Sequence, residues 1–157
     1  MNIKTTGIEE TVKELENLGK NSDEVMESVV KAGIDEVTDT MRAKINALKT
    51  SEEKTAKNKK RYPTKKEVQG LKDSLGFAPV KWKDTKANSK AGFDGYNGVK
   101  TKKYPNGHAN QMMANTINKG NSFMYAQPFI NQTKRESENK AIKAMQKRLD
   151  EEIEKRV

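Results

Sequence analysis

The 157-residue sequence contains no cysteine and a single histidine, His108. Without thiols there is no disulfide framework and no thiolate metal site, and one imidazole cannot form a histidine-cluster site. No nucleophile motif lies near His108, so it is expected to be a structural or surface residue. The glycine-rich phosphate-binding patterns are absent as well. We therefore predict a protein that is not an enzyme and that uses no cofactor and no metal.

Apolar residues are also scarce, at 32% of the chain against 34% charged residues. No run approaches the roughly 18 apolar residues of a membrane span, and the first residues lack the apolar segment of a signal peptide. These absences predict a protein made in a cytoplasm, with no membrane partner. Its length predicts a single domain over residues 1–157. A core this thin implies either disordered segments or apolar burial that is completed against a partner.

Charge is distributed unevenly along the chain. Residues 1–48 contain 6 Lys/Arg and 10 Asp/Glu, whereas residues 49–66, the basic loop, contain 8 and 2. The composition of the basic loop, with almost no apolar residues, predicts an exposed, mobile segment. Two roles stay open for it, a solvated loop and a nucleic-acid-binding arm that uses Lys57, Lys59, Lys60 and Arg61. Tyr62 is its only aromatic residue, so stacking on single strands is not indicated.

Helical periodicity is strongest at the two ends of the chain. A first helix is predicted over residues 6–18, and Ser22 begins a second of about 25 residues. The apolar stripe of the second helix is Met26, Val30, Gly33, Val37, Met41, Ile45 and Leu48. A short helix ends at Gly120, and a terminal helix follows a predicted capping box of Thr133 and Glu136. The stripe of the terminal helix is Ile142, Met145, Leu149 and Ile153.

Strand patterns occupy the middle of the chain. Apolar residues alternate between Leu75 and Trp82 with an interruption near Pro79, and a second strand is predicted around Phe93 and Tyr96. The polar residues 84–90 between them are predicted to form a hairpin loop. The fold class is therefore α+β, a small antiparallel sheet flanked by a long N-terminal helix and a C-terminal helix, with a long basic loop. Three carboxylates near the strands would indicate a hydrolase only if a metal or substrate were found at them: Asp73, Asp84 and Asp94.

The stretch NKGNSFMYAQPFI, residues 118–130, concentrates large apolar side chains just before the charged terminal helix. Ordinary core packing and contact with a neighbouring subunit both account for it, since Phe, Tyr and Met are enriched in interface cores. We predict that Phe129 and Ile130 lie inside. The residues assigned to an interface are Phe123, Met124, Tyr125 and Trp82. The residues assigned to the turn before the terminal helix are Gly120, Pro128 and Phe129.

Four sequence elements and their order along the chain resemble the head–tail joining family of long-tailed bacteriophages, the tail-completion or neck proteins. They are the acidic two-helix start, the GLKDSL segment, the AGFDGY strand and MANTINKGNSFMYAQPFINQTKRESENKAIKAM, the most specific of the four. The resemblance covers nearly the whole chain except the basic loop, which is longer than that of a typical member.

The resemblance implies a structural virion protein of the neck, assembled in the host bacterial cytoplasm, with no catalytic residues. It implies a ring, a hexamer by family analogy, that contacts head-connector proteins and the tail-tube or tail-terminator protein. The sheet and basic loop would then face neighbouring neck proteins or the DNA channel. An acidic N-terminal third beside a basic middle suits a heterologous ring contact, in which two different patches meet. The alternative from the residues alone is a small cytoplasmic nucleic-acid-binding protein that uses the basic loop.

Overall fold

The structure is a computed structural model that describes residues 19, 22–52, 59–83 and 86–156. The helix predicted over residues 6–18 lies outside these ranges, as do Lys57 and Asp84. Within them the chain is α+β, with four helices and two small antiparallel sheets. The predicted fold class, a long N-terminal helix and a C-terminal helix around antiparallel strands, is confirmed.

Two long helices form the frame of the molecule. Helix α1 (Ser22–Asn46) and helix α4 (Phe129–Glu154) lie antiparallel, with Lys44 Nζ 2.6 Å from Glu136 Oε1 at one end. Towards the other end, the Arg148 side chain approaches the Ser28 hydroxyl at 3.4 Å. The two backbones approach closely at Gly33, where an added Cβ would lie 2.7 Å from Met145 Sδ. The absence of a side chain at this position therefore allows the helices to pack tightly.

The predicted length of α1 is confirmed, but one end of its apolar stripe is wrong. The buried positions in the first turns are Val25, Val29 and Val30, whereas Met26 is exposed. The stripe is correct further along, where Met41 and Ile45 enter the core. The predicted stripe is displaced by about one residue at this end. Periodicity alone does not decide which of two consecutive apolar residues is the buried one.

Helix α2 (Lys65–Ser74) was not predicted, because Lys65 and Lys66 were assigned to the basic loop. Its start is a complete capping box: the Glu67 amide donates to Thr64 Oγ1 at 3.2 Å, and the Thr64 amide donates to Glu67 Oε2 at 2.7 Å. Val68 and Leu71 are its buried apolar side chains. Two apolar residues and a good cap are therefore enough to hold this helix against the core.

Four strands of three residues follow. Strand β1 (Leu75–Phe77) pairs antiparallel with β4 (Ala91–Phe93), and β2 (Lys81–Lys83) pairs antiparallel with β3 (Lys86–Asn88). The predicted hairpin loop is therefore wrong over Lys86–Asn88, which form a strand. The result is two separate two-stranded sheets, of which β2 and β3 form an exposed hairpin.

Helix α3 (Asn110–Lys119) ends at Gly120 as predicted, and α4 begins earlier than predicted. The capping box at Thr133 and Glu136 is wrong, because the buried Thr133 hydroxyl donates to the Phe129 carbonyl inside the helix at 2.8 Å. The cap of α4 comes instead from Asn118, whose Oδ1 accepts from the Ile130 amide at 2.9 Å. Glu136 lies on the helix surface, where the hydrogen bond from Lys44 lowers the pKa of its carboxyl.

The core gathers apolar side chains from α1, α2, β4, α3, the segment before α4 and the first residue of α4. Its buried members are Met41, Ile45, Val68, Leu71, Phe93, Met113, Ala114, Ile117, Met124 and Phe129. The stripe predicted for α4 is largely wrong, since Ile142, Leu149 and Ile153 are exposed, and the buried residues beyond the first turn are Thr133, Ser137 and Glu152. None of the helices described is both long enough and apolar enough to cross a membrane.

Candidate interaction surface

Residues at the end of the basic loop are held against the stretch before α4. The Arg61 amide donates to the Phe123 carbonyl at 2.9 Å, and the Tyr125 amide donates to the Arg61 carbonyl at 3.0 Å. The loop is also closed at its base, where the Ser51 amide donates to the Pro63 carbonyl at 3.0 Å. Two segments that are far apart in the sequence therefore form one continuous surface.

Arg61 has a structural position rather than an exposed one, which corrects its assignment to a DNA-facing arm. Its guanidinium donates to both carboxylate oxygens of Glu67, at 2.7 and 2.8 Å, and to the Tyr62 carbonyl at 3.0 Å. Burial would raise the pKa of Glu67, but hydrogen bonds from Arg61 and Thr64 hold that pKa below its usual range. The same hydrogen bond raises the pKa of Arg61. Three of its five N–H donors are used in this way and its charge is paired with Glu67, which reduces its attraction for phosphate.

The turn before α4 separates buried from exposed side chains. Gly120 has φ 71°, and an added Cβ would lie 2.8 Å from the Ala126 amide nitrogen, so the position suits glycine. Beyond the turn Phe123 is 66% exposed, whereas Met124 is 4% exposed and belongs to the core. The assignment of Met124 to an interface is therefore wrong, since its neighbours are core residues of the same chain. Phe129 is buried and Ile130 partly buried, as predicted.

Aromatic and basic side chains are brought together around Arg61. The rings of Tyr62 and Tyr125 lie 5.1 Å apart between centroids, and Lys49 Nζ lies 6.0 Å from the centroid of Tyr62. Tyr125 is 45% exposed, and the exposed Lys59 and Lys60 directly precede Arg61. We call the set the aromatic–basic surface: Lys49, Lys59, Lys60, Tyr62, Phe123 and Tyr125.

Only part of this surface is predictable from the sequence. Lys59 and Lys60 lie in the predicted loop and Phe123 and Tyr125 in a distant turn, and no sequence pattern joins the two. Lys49 was missed as a partner of the turn: its amide donates to Gln127 Oε1 at 2.8 Å and its carbonyl accepts from Gln127 Nε2 at 3.1 Å. A side-chain amide that pairs with a distant backbone leaves no sequence pattern.

Trp82 lies apart from these residues along the chain, on the β2–β3 hairpin. It is 42% exposed and is paired across the hairpin with Ala87, between the exposed Lys81 and Lys83. An indole this exposed on a two-stranded hairpin has an apolar face in contact with water, which is the usual state of an interface anchor before it binds.

A separate cleft of about 570 Å³ lies between α2 and the segment after β4. Asp73 and Asp94 both line it, so the structure brings together two of the three carboxylates named from the sequence. Asp73 accepts from Gln69 Nε2 at 2.7 Å and Asp94 from the Gly95 amide at 2.7 Å. In the ranges described, no three His, Asp or Glu side chains are grouped so that they could hold a metal ion.

His108 has a local packing role beside this cleft. Its ring lies 4.1 Å from that of Tyr104 between centroids, and its amide donates to Asn97 Oδ1 at 3.1 Å. No nucleophilic side chain is hydrogen-bonded to it among the described residues. This position agrees with the structural role expected from the sequence.

Comparison with family models, with curated proteins and with solved structures gave no match for this chain.

Proposed function

We propose that the protein is a non-enzymatic adaptor that forms a ring in the neck of a long-tailed phage virion. The observation that carries the proposal is the exposure of Phe123, Tyr125 and Trp82 in a chain with a small core. Large apolar side chains left in water at different elements supply the two unlike patches that a heterologous contact requires. The resemblance of the order of sequence elements to that of neck proteins supports the same function.

In this role the aromatic–basic surface meets a neighbouring subunit or another neck protein. Phe123 and Tyr125 would supply the apolar contact, and the lysines would surround it as a polar rim. The turn at Gly120 and the bonds from Arg61 hold the two aromatic side chains on a fixed backbone, which reduces the entropy lost on assembly. Head-connector proteins and the tail-tube or terminator protein are the partners that the function requires.

The test is the mass of the full chain by light scattering, alone and mixed with the tail-tube protein or the head connector. We expect a ring or a defined complex, and we expect Phe123→Ser to weaken it by about 30-fold or more, the effect of losing a hot-spot residue. Tyr96→Ser is the matched control, because Tyr96 is 64% exposed but lies on the cleft. A strict monomer that binds neither partner would contradict the proposal.

A genetic experiment tests the same function in the virion. Removal of the protein from its phage should leave filled heads and finished tails that do not join. Complementation with the unchanged chain should restore joining, and complementation with Phe123→Ser should not. Joined particles in the absence of the protein would refute the neck function.

The second candidate is nucleic-acid binding, and the geometry of the aromatic–basic surface is what favours it. Phe123, Tyr125 and Tyr62 supply the aromatic faces that the basic loop lacked in the sequence, beside Lys59 and Lys60. Single-strand binding surfaces combine such faces with a basic groove, and each stacked base contributes about 1–3 kcal/mol. The ligand is then single-stranded DNA or RNA rather than duplex.

Binding of an oligothymidine to the full chain across a salt series tests this second function. Lys59→Gln with Lys60→Gln should reduce the slope of log affinity against log salt by about 1.4, since each phosphate contact on a single strand contributes about 0.7. Lys81→Gln with Lys83→Gln is the control for charge alone. Negligible affinity at about 150 mM salt would exclude nucleic-acid binding as the function. Any binding at lower salt would then be non-specific electrostatic attraction to phosphate.

A further inference from the structure

The outer face of α4 carries a row of exposed aliphatic side chains. Ile142, Leu149 and Ile153 are 49%, 36% and 38% exposed, and their spacings of seven and four residues place them on one side of the helix. Arg148 and Met145 lie against α1, at Ser28 and at Gly33, so the exposed row runs along the edge of the contact with α1. The row is therefore outside the core of the chain described here, on a helix that is otherwise strongly charged.

Charge along this part of α4 is divided into two blocks. Residues 140–148 contain four basic and no acidic residues, and residues 150–154 contain four acidic and no basic residues. Several of these charges are used inside the helix, with Arg148 and Arg156 both paired to the buried Glu152. Lys143 and Asp150 are exposed, and neither has an ion pair among the described residues.

We propose that this face of α4 binds the same face of a second copy of the chain, in antiparallel orientation. An antiparallel arrangement places the basic block of each copy against the acidic block of the other. With Ile142 opposite Ile153 of the second copy, Lys143 lies within two residues, about 3 Å along the helix axis, of the second copy's Asp150, and the same pair recurs by symmetry. Leu149 and Gln146 then lie near the two-fold axis. A parallel arrangement would oppose like charges along the whole face and is disfavoured.

This contact is isologous and uses residues outside the aromatic–basic surface, so it does not depend on the proposed ring. Only three aliphatic side chains and a few charges take part, which puts it among the small, transient interfaces. The expected dimer is therefore weak and dependent on concentration and salt. Its partner is fully specified, since each copy supplies both halves of the complementary surface.

Sedimentation equilibrium of the full chain between roughly 1 and 300 µM tests association, a range that spans weak interfaces. We expect a shift from monomer towards dimer that Leu149→Glu reduces by about tenfold or more. Lys143→Glu should also weaken the dimer, and adding Asp150→Lys should restore it, because the pair is reversed rather than removed. Lys102→Glu is the control for the same charge change at an exposed site off α4. A monomer at every concentration overturns the proposal.

Introduced cysteines test the orientation, since the chain has none of its own. Under mild oxidation Gln146→Cys should form a disulfide-linked dimer, because the two copies of residue 146 lie near the axis. Arg135→Cys lies on the same side of α4, but its two copies would be more than about 35 Å apart at about 1.5 Å per residue. Equal cross-linking at both sites would overturn the antiparallel arrangement.

Two further results separate this proposal from others. Phe123→Ser should leave the α4 dimer unchanged. A failure of the proposed ring assembly can therefore be distinguished from a failure of the proposed α4 dimer. A chain that stays monomeric and loses thermal stability on Leu149→Glu would assign the aliphatic row to another segment of the same chain. That result also overturns the proposal.

Discussion

At the residue scale, Glu67 is a buried carboxylate with a structural role. It is 3% exposed, accepts from both Arg61 and Thr64, and thereby joins the cap of α2 to the aromatic–basic surface. A carboxylate buried at this depth is stabilised only while its donors remain in place. Loss of the charge should therefore disturb both the helix and the surface.

Replacing Glu67 by Gln should cost about 1.5–3 kcal/mol of unfolding free energy at pH 7, the value of hydrogen bonds to a charged group. The pKa of Glu67 is lower in the folded than in the unfolded state, so its stabilisation is complete above the unfolded value of about 4.3. It is lost as the pH falls through the folded pKa. Urea unfolding from pH 7 to pH 3 should therefore show the wild type and the variant converging.

The exposed Glu52 is the control for this experiment. Glu52→Gln removes an ion pair to Lys65 of 3.4 Å between side chains that are 86% and 75% exposed. Its effect should stay below about 1 kcal/mol, as for other surface pairs. Parallel pH profiles for wild type and Glu67→Gln would contradict the assigned role of the carboxylate.

Gly120 is the second decisive residue. Gly120→Ala should destabilise the fold by about 1–3 kcal/mol, because its φ of 71° and ψ of 173° lie in a region that only glycine enters readily. The added Cβ would also meet backbone atoms that cannot move aside as a side chain can. The control is Gly76→Ala, where nothing lies within 4 Å and the change should be close to neutral. Denaturant unfolding of both variants measures the difference.

At the scale of elements, the long helices were predictable and their faces were not. The 3.6-residue period identified α1 and the greater part of α4. In α4, however, the buried polar positions are Thr133, Ser137 and Glu152, and Met145 is the member of the predicted stripe that lies against α1, at Gly33. Ile142, Leu149 and Ile153 are exposed. Periodicity finds an apolar stripe, but it does not say whether the stripe meets the core or another molecule.

The capping signals show the same limit. The sequence contains TKKE at residues 64–67 and TKRE at residues 133–136, two instances of one pattern. The first is a real helix start and was overlooked inside the lysine-rich segment. The second lies inside α4, whose start is capped by Asn118 at the end of α3, twelve residues before Ile130. A pattern of four residues therefore cannot separate a helix start from a helix interior without the tertiary partner.

The candidate site was only partly predictable for the same reason. The assignment of Phe123 and Tyr125 to an interface rested on the apolar excess of residues 118–130, and both side chains are exposed, as is Trp82 on its strand. Burial of Met124 was not predicted, since neighbouring residues in an irregular segment alternate between core and solvent according to the turn. The pairing of Arg61 with Phe123 and Tyr125 joins residues more than 60 positions apart, which no local pattern encodes.

Strands β2 and β3 should be the least protected regular element among those described. Every residue of Lys81–Lys83 is exposed, and a two-stranded hairpin alone is marginally stable. Native-state hydrogen exchange should therefore show rapid exchange for its paired amides and slow exchange for the buried turns of α2 around Val68 and Leu71. Equal protection of the two elements would show that the hairpin is covered by a partner in the sample.

At the scale of the whole molecule, stability depends on a small core shared by nearly every element. Phe129 is fully buried, and its ring lies 6.2 Å from that of Phe93 on β4. Phe129→Ala should cost about 3–5 kcal/mol, a large share of the roughly 5–15 kcal/mol of a typical domain. Phe123→Ala should change stability by less than about 0.5 kcal/mol, because the side chain is in water. Thermal unfolding compares the two variants directly.

These two phenylalanines, six positions apart, separate folding from assembly. A variant at Phe129 that retained its full stability would mean that the core does not close around α4. A large loss at Phe123 in dilute protein would mean that its ring packs within the subunit, against the proposed interface. The subunit contact of the proposed ring assembly and the proposed α4–α4 contact use separate surfaces, so each contact can be removed without the other.

The base of the basic loop has one more consequence, for changes in chain length. The bond from Ser51 to Pro63 and the bridge between Ser51 and Thr64 bring the two ends of the segment together. Because the two ends are joined in this way, we expect insertions between them to leave the helices in place, at about 0.6 kcal/mol for each doubling of loop length. The junction therefore makes this segment a suitable place for a genetic insertion such as an epitope or a fluorescent label.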